Sequence, residues 1–115
     1  MAAGNVGEEV RRAWQQQRDG NSTAAMDAFA AIVQAHPDDI DARYGLGMSQ
    51  KATGHRDGAI QSFREALALV ESGQQAQVDQ RESSSEDYIR TPEDDRLTMM
   101  ARMLNQRIAE TEGGG

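Results

Sequence analysis

The chain uses phenylalanine only twice, and each copy closes the same phrase, Gly-x4-Ala-x3-Phe. The first copy is Gly20, Ala25 and Phe29; the second, 34 residues later, is Gly54, Ala59 and Phe63. A phrase that recurs at a period of about 20 to 50 residues indicates a repeat protein, in which each unit is one supersecondary element that packs on the next. The alanine and the phenylalanine lie four positions apart, on one face of a helix. The sequence therefore predicts one helical hairpin used twice.

Signals that end and begin helices recur in register with this phrase. Gly20 and Gly54 stand where a residue that tolerates positive φ closes a helix. His36-Pro37 ends another, because the residue before proline is pushed out of the α region. Candidate N-caps are Asn21 or Ser22 for the second helix and Asp38 or Asp39 for the third. The predicted helices run from Val6 to Arg18, from the Asn21/Ser22 cap to His36, from Ile40 to Thr53, and from Asp57 to Glu71, with Gly73 as the last stop.

The remaining third of the chain has a different pattern. Residues 74–90 are strongly polar, and a third repeat in register would need large and small apolar residues where Gln80 and Arg81 stand. We therefore expect a frayed helical extension followed by a flexible segment over 74–90. Thr91-Pro92-Glu93-Asp94 is typical of a helix start, with threonine at the cap and proline first. The apolar stripe after it predicts a helix over 91–112, followed by a glycine tail at 113–115; residues 1–5 are expected to be flexible.

Composition restricts the class of function. The chain has 115 residues, no cysteine and a formal net charge of −7. Disulfides and thiolate metal sites are excluded, and the negative charge argues against nucleic acid and anionic membranes as partners. The N-terminus lacks the charged start and apolar run of a signal peptide, and no stretch reaches the roughly 20 apolar residues of a membrane span. We expect a soluble, cytoplasmic protein of one domain.

The repeated unit resembles the tetratricopeptide repeat (TPR) family, in which two helices form each 34-residue unit. The second unit matches that pattern at Tyr44, Leu46-Gly47, Gly54, Ala59, Phe63 and Ala66. The first matches at Ala13, Gly20, Ala25, Phe29 and Pro37. It departs at Glu9 and Arg12, where the family has an aromatic and a large aliphatic residue. The resemblance implies an all-α fold of about five helices, a short α-solenoid in which residues 6–73 form two stacked hairpins and residues 91–112 form a capping helix.

The resemblance also implies a function, because most members of the family bind another protein in a concave groove lined by the first helix of each unit. The implied groove residues are Val10, Trp14 and Gln17 from the first unit and Asp41, Tyr44, Met48 and Lys51 from the second. Trp14 has two interpretations that the sequence leaves open, a groove anchor or a core residue that fills the gap in the first unit. Some members hold a C-terminal carboxylate with groove Lys, Arg and Asn residues; Val10, Trp14 and Gly45 stand at three of those positions, which argues against that mode here.

No pattern of catalytic or metal-ligating residues is present in the sequence. His36 and His55 have no neighbouring cysteine or second histidine, and no nucleophile motif or phosphate-binding glycine loop is present. The sequence therefore predicts a non-enzymatic protein-interaction module without cofactor or metal, a monomer or weak homodimer. Two alternatives remain: self-association through the last helix, where Met99 and Met103 lie off the main apolar stripe, and a small acidic chaperone of the secretion type.

Overall fold

The computed structural model describes residues 5–83 and 92–113. Over these ranges the chain forms five α-helices and no strand: α1 (Val6–Arg18), α2 (Ser22–Ala35), α3 (Ile40–Ala52), α4 (Arg56–Ser83) and α5 (Pro92–Glu112). Each helix packs against the next along the chain, and α1 also contacts α3. The predicted all-α fold of about five helices is confirmed. Among these helices none combines the length and apolarity that a membrane span requires.

The two predicted glycine stops have the backbone conformation that they need. Gly20 follows α1 with a φ of 89°, and Gly54 follows α3 with a φ of 86°. Residues with a side chain rarely adopt this left-handed conformation, whereas glycine adopts it at little cost. Each first helix therefore ends at the same point of its unit, and α2 and α4 begin at equivalent places after it.

The predicted caps are confirmed in part. Asp39 caps α3, and its carboxylate accepts a hydrogen bond of 2.8 Å from the backbone N–H of Ala42. Asn5 caps α1 in the same way by accepting from Glu8 N at 2.8 Å, which the sequence interpretation did not include. Asn21 occupies the cap position of α2, but its side chain makes no capping bond there. The start of α2 therefore depends on the preceding Gly20 turn and on packing more than on a side-chain cap.

Gly73 does not end α4, so the predicted stop at this residue was wrong. The helix continues through Gly73 to Ser83. A Cβ atom at Gly73 would lie 3.2 Å from Cδ1 of Leu97 in α5, so the absence of a side chain lets the two helices approach closely. The segment predicted over 74–90 is thus helical as far as Ser83. Its remainder, the predicted Thr91 cap and the chain termini at 1–4 and 114–115 lie outside the described residues.

The two phenylalanine rings lie on glycines of the same helix. A Cβ atom at Gly45 would be 2.3 Å from Cε1 of Phe29, and one at Gly47 would be 2.5 Å from Cε1 of Phe63. Both rings are completely buried. Phe29 reaches α3 from the first hairpin and Phe63 reaches it from α4, so α3 is held between the two rings. Gly47 is one of the positions that match the family pattern, whereas the close approach at Gly45 was not expected from the sequence.

α5 covers the side of α4 that the second hairpin leaves open. Leu97, Met100 and Leu104 are buried in one cluster with Phe63 and Val70 of α4. The C-terminal end of α5 is held by side chains from the start of α4. Arg56 donates to the backbone carbonyls of Thr111 and Glu112, and Arg64 forms an ion pair with the Glu112 carboxylate. α5 is therefore antiparallel to α4 and parallel to α3, as the first helix of a third unit would be.

Candidate functional site

The residues predicted to contact a partner lie on one face of α1 and one face of α3. Val10, Trp14 and Gln17 of α1 stand 34 positions before Tyr44, Met48 and Lys51 of α3. Their spacing of four and then three residues keeps each set on one side of its helix. Asp41 lies one turn before Tyr44 on the same side. We call this face, together with the adjoining side of α5, the α1–α3–α5 surface.

Aromatic rings connect α1 and α3 along this surface. The centroid of Trp14 is 5.2 Å from that of Phe29, in an edge-to-face arrangement, and 5.7 Å from that of Tyr44. Tyr44 in turn is 5.9 Å from Phe63. Such contacts contribute about 0.5–1.5 kcal/mol each beyond the burial of area. Trp14 and Tyr44 are both half-buried, so each ring packs on the core and still presents part of its surface.

These contacts bear on the two interpretations of Trp14. Its ring packs against the cluster that contains Phe29 and Val10, as a core residue would, yet it keeps solvent exposure on the α1–α3–α5 surface. The one side chain therefore packs on the core and stays partly accessible, and its role as a groove anchor stays a prediction. Val10, by contrast, is only 8% exposed and belongs to the core. Little of the Val10 side chain is therefore accessible to a partner, and its role as a groove residue stays a prediction.

Side chains of α5 reach the predicted residues of α3, which the sequence interpretation missed. Arg96 forms an ion pair of 3.3 Å with Asp41. Arg107 Nε donates toward the Tyr44 hydroxyl at 3.5 Å, and Lys51 Nζ lies 3.7 Å from Glu110. These pairs join residues 55 or more positions apart, and no local pattern in the sequence reports them. The helical spacing of the charged residues in α5 would indicate these pairs, but only after α5 has been placed parallel to α3.

One carboxylate is shared by two cations at the end of this surface. Oε1 of Glu110 accepts a hydrogen bond of 2.8 Å from Arg107 and also faces Lys51, while its Oε2 accepts from Gln106 at 3.2 Å. The hydrogen bond from Arg107 lowers the pKa of the Glu110 carboxyl below its ordinary value. The pKa of the Arg107 guanidinium is raised, mainly by its hydrogen bond to Tyr44 and next by its hydrogen bond to Glu110. The cluster of Lys51, Arg107 and Glu110 therefore carries one net positive charge.

Gln17 differs from the other surface residues in its hydrogen bonding. Its side chain is half-buried, and its Oε1 is inaccessible and has no hydrogen-bond partner among the described residues. A buried acceptor without a partner costs about 1–3 kcal/mol. The α1 end of the surface thus contains a buried acceptor that is unpaired among the described residues.

Neither histidine belongs to a potential metal-binding group within the part of the chain that the structure describes. Within residues 5–83 and 92–113, no group of three or more His, Cys, Asp and Glu side chains is placed to hold a metal ion. His36 and His55 are both exposed at helix junctions, and His55 Nδ1 lies 2.9 Å from the Thr53 hydroxyl. This local contact joins two residues of one turn. It gives no converging set of groups of the kind that general acid–base or metal chemistry uses.

Comparison with known protein families agrees with the two hairpins. A family model described as Tetratricopeptide repeat matches the chain twice, over residues 10–39 and 41–72. Together the two matches cover more than half of the 115 residues. They span α1 with α2, and α3 with the first part of α4. A search of the curated proteins found no match.

Proposed function

Because the chain belongs to the tetratricopeptide repeat family, we propose that it is a non-enzymatic protein-interaction module whose α1–α3–α5 surface binds a peptide or helix of a partner protein. One observation carries this proposal. Trp14 and Tyr44 lie side by side on adjacent helices, 5.7 Å apart, with part of each ring accessible to solvent. Aromatic residues held by a packed core are the usual anchors of protein interfaces.

Preorganisation supports this role for the two rings. A partner that binds a mobile side chain must overcome the entropy lost when that side chain is fixed, about 0.5–1.5 kcal/mol per residue. Trp14 and Tyr44 are already fixed by Phe29 and Phe63, whose own positions are set by glycines of α3. Little ordering remains to be done when a partner arrives, so contact with these rings contributes almost fully to affinity.

The test uses the full chain as bait in an extract of the native host. Tyr44→Ala is expected to lose the proteins that the wild type retains, with helical content measured by circular dichroism in parallel. Arg11→Ala is the matched control, because the Arg11 side chain is 73% exposed in α1 and, among the described residues, pairs with Glu8 of the same helix. Retention of the same proteins by folded Tyr44→Ala would contradict binding at this surface.

Self-association through α5 is the second candidate, and one observation favours it. Met99 is 67% exposed, the largest hydrophobic exposure among the described residues. An exposed methionine is an adaptable contact that pairs readily with a second copy. Light scattering over a range of concentrations tests this candidate. A mass that stays at one chain, 12.6 kDa, at every concentration would exclude it.

A further inference from the structure

α5 repeats the pattern of α3 at an offset of 55 residues. α3 buries Ala42, Gly45 and Ser49, and α5 buries Leu97, Met100 and Leu104, with the same spacing of three and then four. The ion pair of Asp41 with Arg96 joins two positions that differ by this same offset. At these positions α5 therefore corresponds to the first helix of a third unit, although its sequence lacks the repeat's phrase and Arg102, at the position of the buried Gly47, is exposed.

The offset identifies the residues of α5 that correspond to the predicted surface residues of α3. Adding 55 to Asp41, Tyr44, Met48 and Lys51 gives Arg96, Met99, Met103 and Gln106. The exposure agrees at three of the four positions, since both ends of each set are exposed and Met48 and Met103 are half-buried. At the fourth, Tyr44 is half-buried and Met99 is 67% exposed. Gln106 and Lys51 both contact Glu110, which shows that this side of α5 adjoins the predicted face of α3. Met99 and Met103 thus belong to the α1–α3–α5 surface.

This placement makes one apolar row across three helices. Trp14 lies on α1, Tyr44 and Met48 on α3, and Met99 and Met103 on α5. Each of them leaves part of its side chain accessible. The row passes from rigid rings at the α1 end to methionines at the α5 end. Because methionine adapts its shape to what it contacts, the α5 end can accept large apolar side chains of several kinds.

The charge beside the row is opposite to that of the protein as a whole. The chain carries a net charge of −7, yet Lys51 and Arg107 share the single carboxylate of Glu110. The Lys51 side chain is 41% exposed and that of Arg107 is 30% exposed, so both remain within reach of a ligand. A second carboxylate would balance this cluster. Acidic residues elsewhere on the surface would repel a carboxylate of a ligand, so that carboxylate is directed to the Lys51 and Arg107 cluster.

Resting on the proposed function, we infer that the site extends onto α5 and takes an acidic, amphipathic segment of another protein. A large apolar side chain of that segment contacts Met99 and Met103. A side-chain carboxylate of the same segment pairs with Lys51 and Arg107. Recognition of this partner requires residues of α5, which the two family matches do not cover.

Selection from a random library of displayed 12-residue peptides against the full chain tests this inference. We expect enriched peptides to combine Asp or Glu with a large apolar residue. Binding of a labelled enriched peptide, followed by fluorescence anisotropy, should weaken about tenfold or more in Arg107→Glu and in the double variant Met99→Gln, Met103→Gln. It should also weaken with added salt.

Two variants serve as matched controls. Arg102→Glu places the same charge change on the exposed side of α5, where no described contact involves Arg102, and Ile60→Gln removes an apolar side chain from the outer side of α4. Each should bind the peptide within about twofold of wild type, because isolated surface changes contribute little. Thermal unfolding by circular dichroism identifies any variant that fails to fold, and the single variant Met99→Gln, at an exposed position, then replaces the double variant.

Each contrary result has a distinct meaning. If Tyr44→Ala loses the peptide while the α5 variants keep it, the extension onto α5 is wrong and the proposed function stands. If Tyr44→Ala and the α5 variants all bind as wild type, both are wrong. The inference of an acidic partner is wrong if the library selection enriches basic peptides, or if it enriches no peptide above background. A dimer that Met99→Gln converts to a monomer also overturns it, because a second copy would then be the occupant.

Discussion

The contact between α2 and α3 and the contact between α4 and α5 each pair a glycine with a large side chain, but the glycine lies on the later helix in one and on the earlier helix in the other. At the first contact, α3 presents Gly45 and α2 presents the large ring of Phe29. At the second, α4 presents Gly73 and α5 presents the large side chain of Leu97. The bulky residue comes from the second helix of a unit in one case and from the following helix in the other.

This difference shows what the repeat requires and what it leaves free. Stacking requires that facing positions fill the space between the helices at the density of a protein interior, with no void and no overlap. It does not fix which helix supplies the volume. The phrase Gly-x4-Ala-x3-Phe records one solution, used twice. α5 uses a different packing solution. A search for the phrase therefore does not detect that α5 corresponds to the first helix of a unit.

Phe63→Ala is expected to have the largest effect, because this ring takes part in the α3–α4 contact and in the α4–α5 contact. Phe63 is completely buried, lies on Gly47 and belongs to the cluster that α5 covers. Its removal should lower the free energy of unfolding by about 3–5 kcal/mol, measured by urea denaturation. Met99→Ala, at an exposed position, is the control. A loss below about 1 kcal/mol for Phe63→Ala would contradict the assignment of the ring to the interior.

Leu104→Ala isolates the α4–α5 contact. Leu104 is completely buried in that cluster, so truncation should cost about 2–5 kcal/mol in the same measurement. Arg102→Ala, two residues away and exposed, should change stability by no more than about 0.5 kcal/mol. Similar stabilities for the two variants would mean that α5 does not pack on α4 in solution.

Gly45→Ala and Gly73→Ala test the two contacts directly and are expected to differ. Alanine in a helix interior gains about 1 kcal/mol over glycine. At Gly45 the new Cβ would lie 2.3 Å from the Phe29 ring, and the resulting strain should give a net loss of about 1–3 kcal/mol. At Gly73 it would lie 3.2 Å from a methyl group of Leu97, which can shift slightly. We expect Gly73→Ala to stay within about 0.5 kcal/mol of wild type; equal losses would refute the distinction.

The smallest expected effect concerns Glu110, whose carboxylate links α5 to α3 by an ion pair. The hydrogen bond from Arg107 lowers the pKa of this carboxyl from its ordinary value of 4.5. A carboxyl whose pKa is lower in the folded state stabilises the fold above its unfolded pKa. That contribution is lost as the pH falls through the folded pKa. Wild type should therefore melt slightly above Glu110→Gln at neutral pH.

The same two proteins should melt together in acid, once the carboxyl is protonated in both states. Glu71→Gln, at an exposed position of α4, controls for the loss of one negative charge. A melting difference between wild type and Glu110→Gln that persists unchanged into acid would show that the ion pair is not its cause. The measurement is thermal unfolding followed by circular dichroism across a pH series.

The candidate site divides into a part that the sequence predicts and a part that it does not. Tyr44, Met48 and Lys51 follow from the period, because the position of a residue within a repeat determines its face. Arg107, Glu110 and Gln106 do not follow from it. They lie near Lys51 only because α5 runs parallel to α3, and the chain between 84 and 91 gives no local rule for that placement.

The sequence by itself determined the period, the two stacked hairpins and the points at which α1, α2 and α3 end. These features depend on local backbone chemistry at Gly20, Gly54 and Pro37, and on apolar spacing that any helix would share. The tertiary structure decided that α4 continues past Gly73, that Trp14 serves the core and the surface together, and that α5 adopts the register of α3. Each of these depends on which side chain fills a given space, and that is settled only when the helices are in contact.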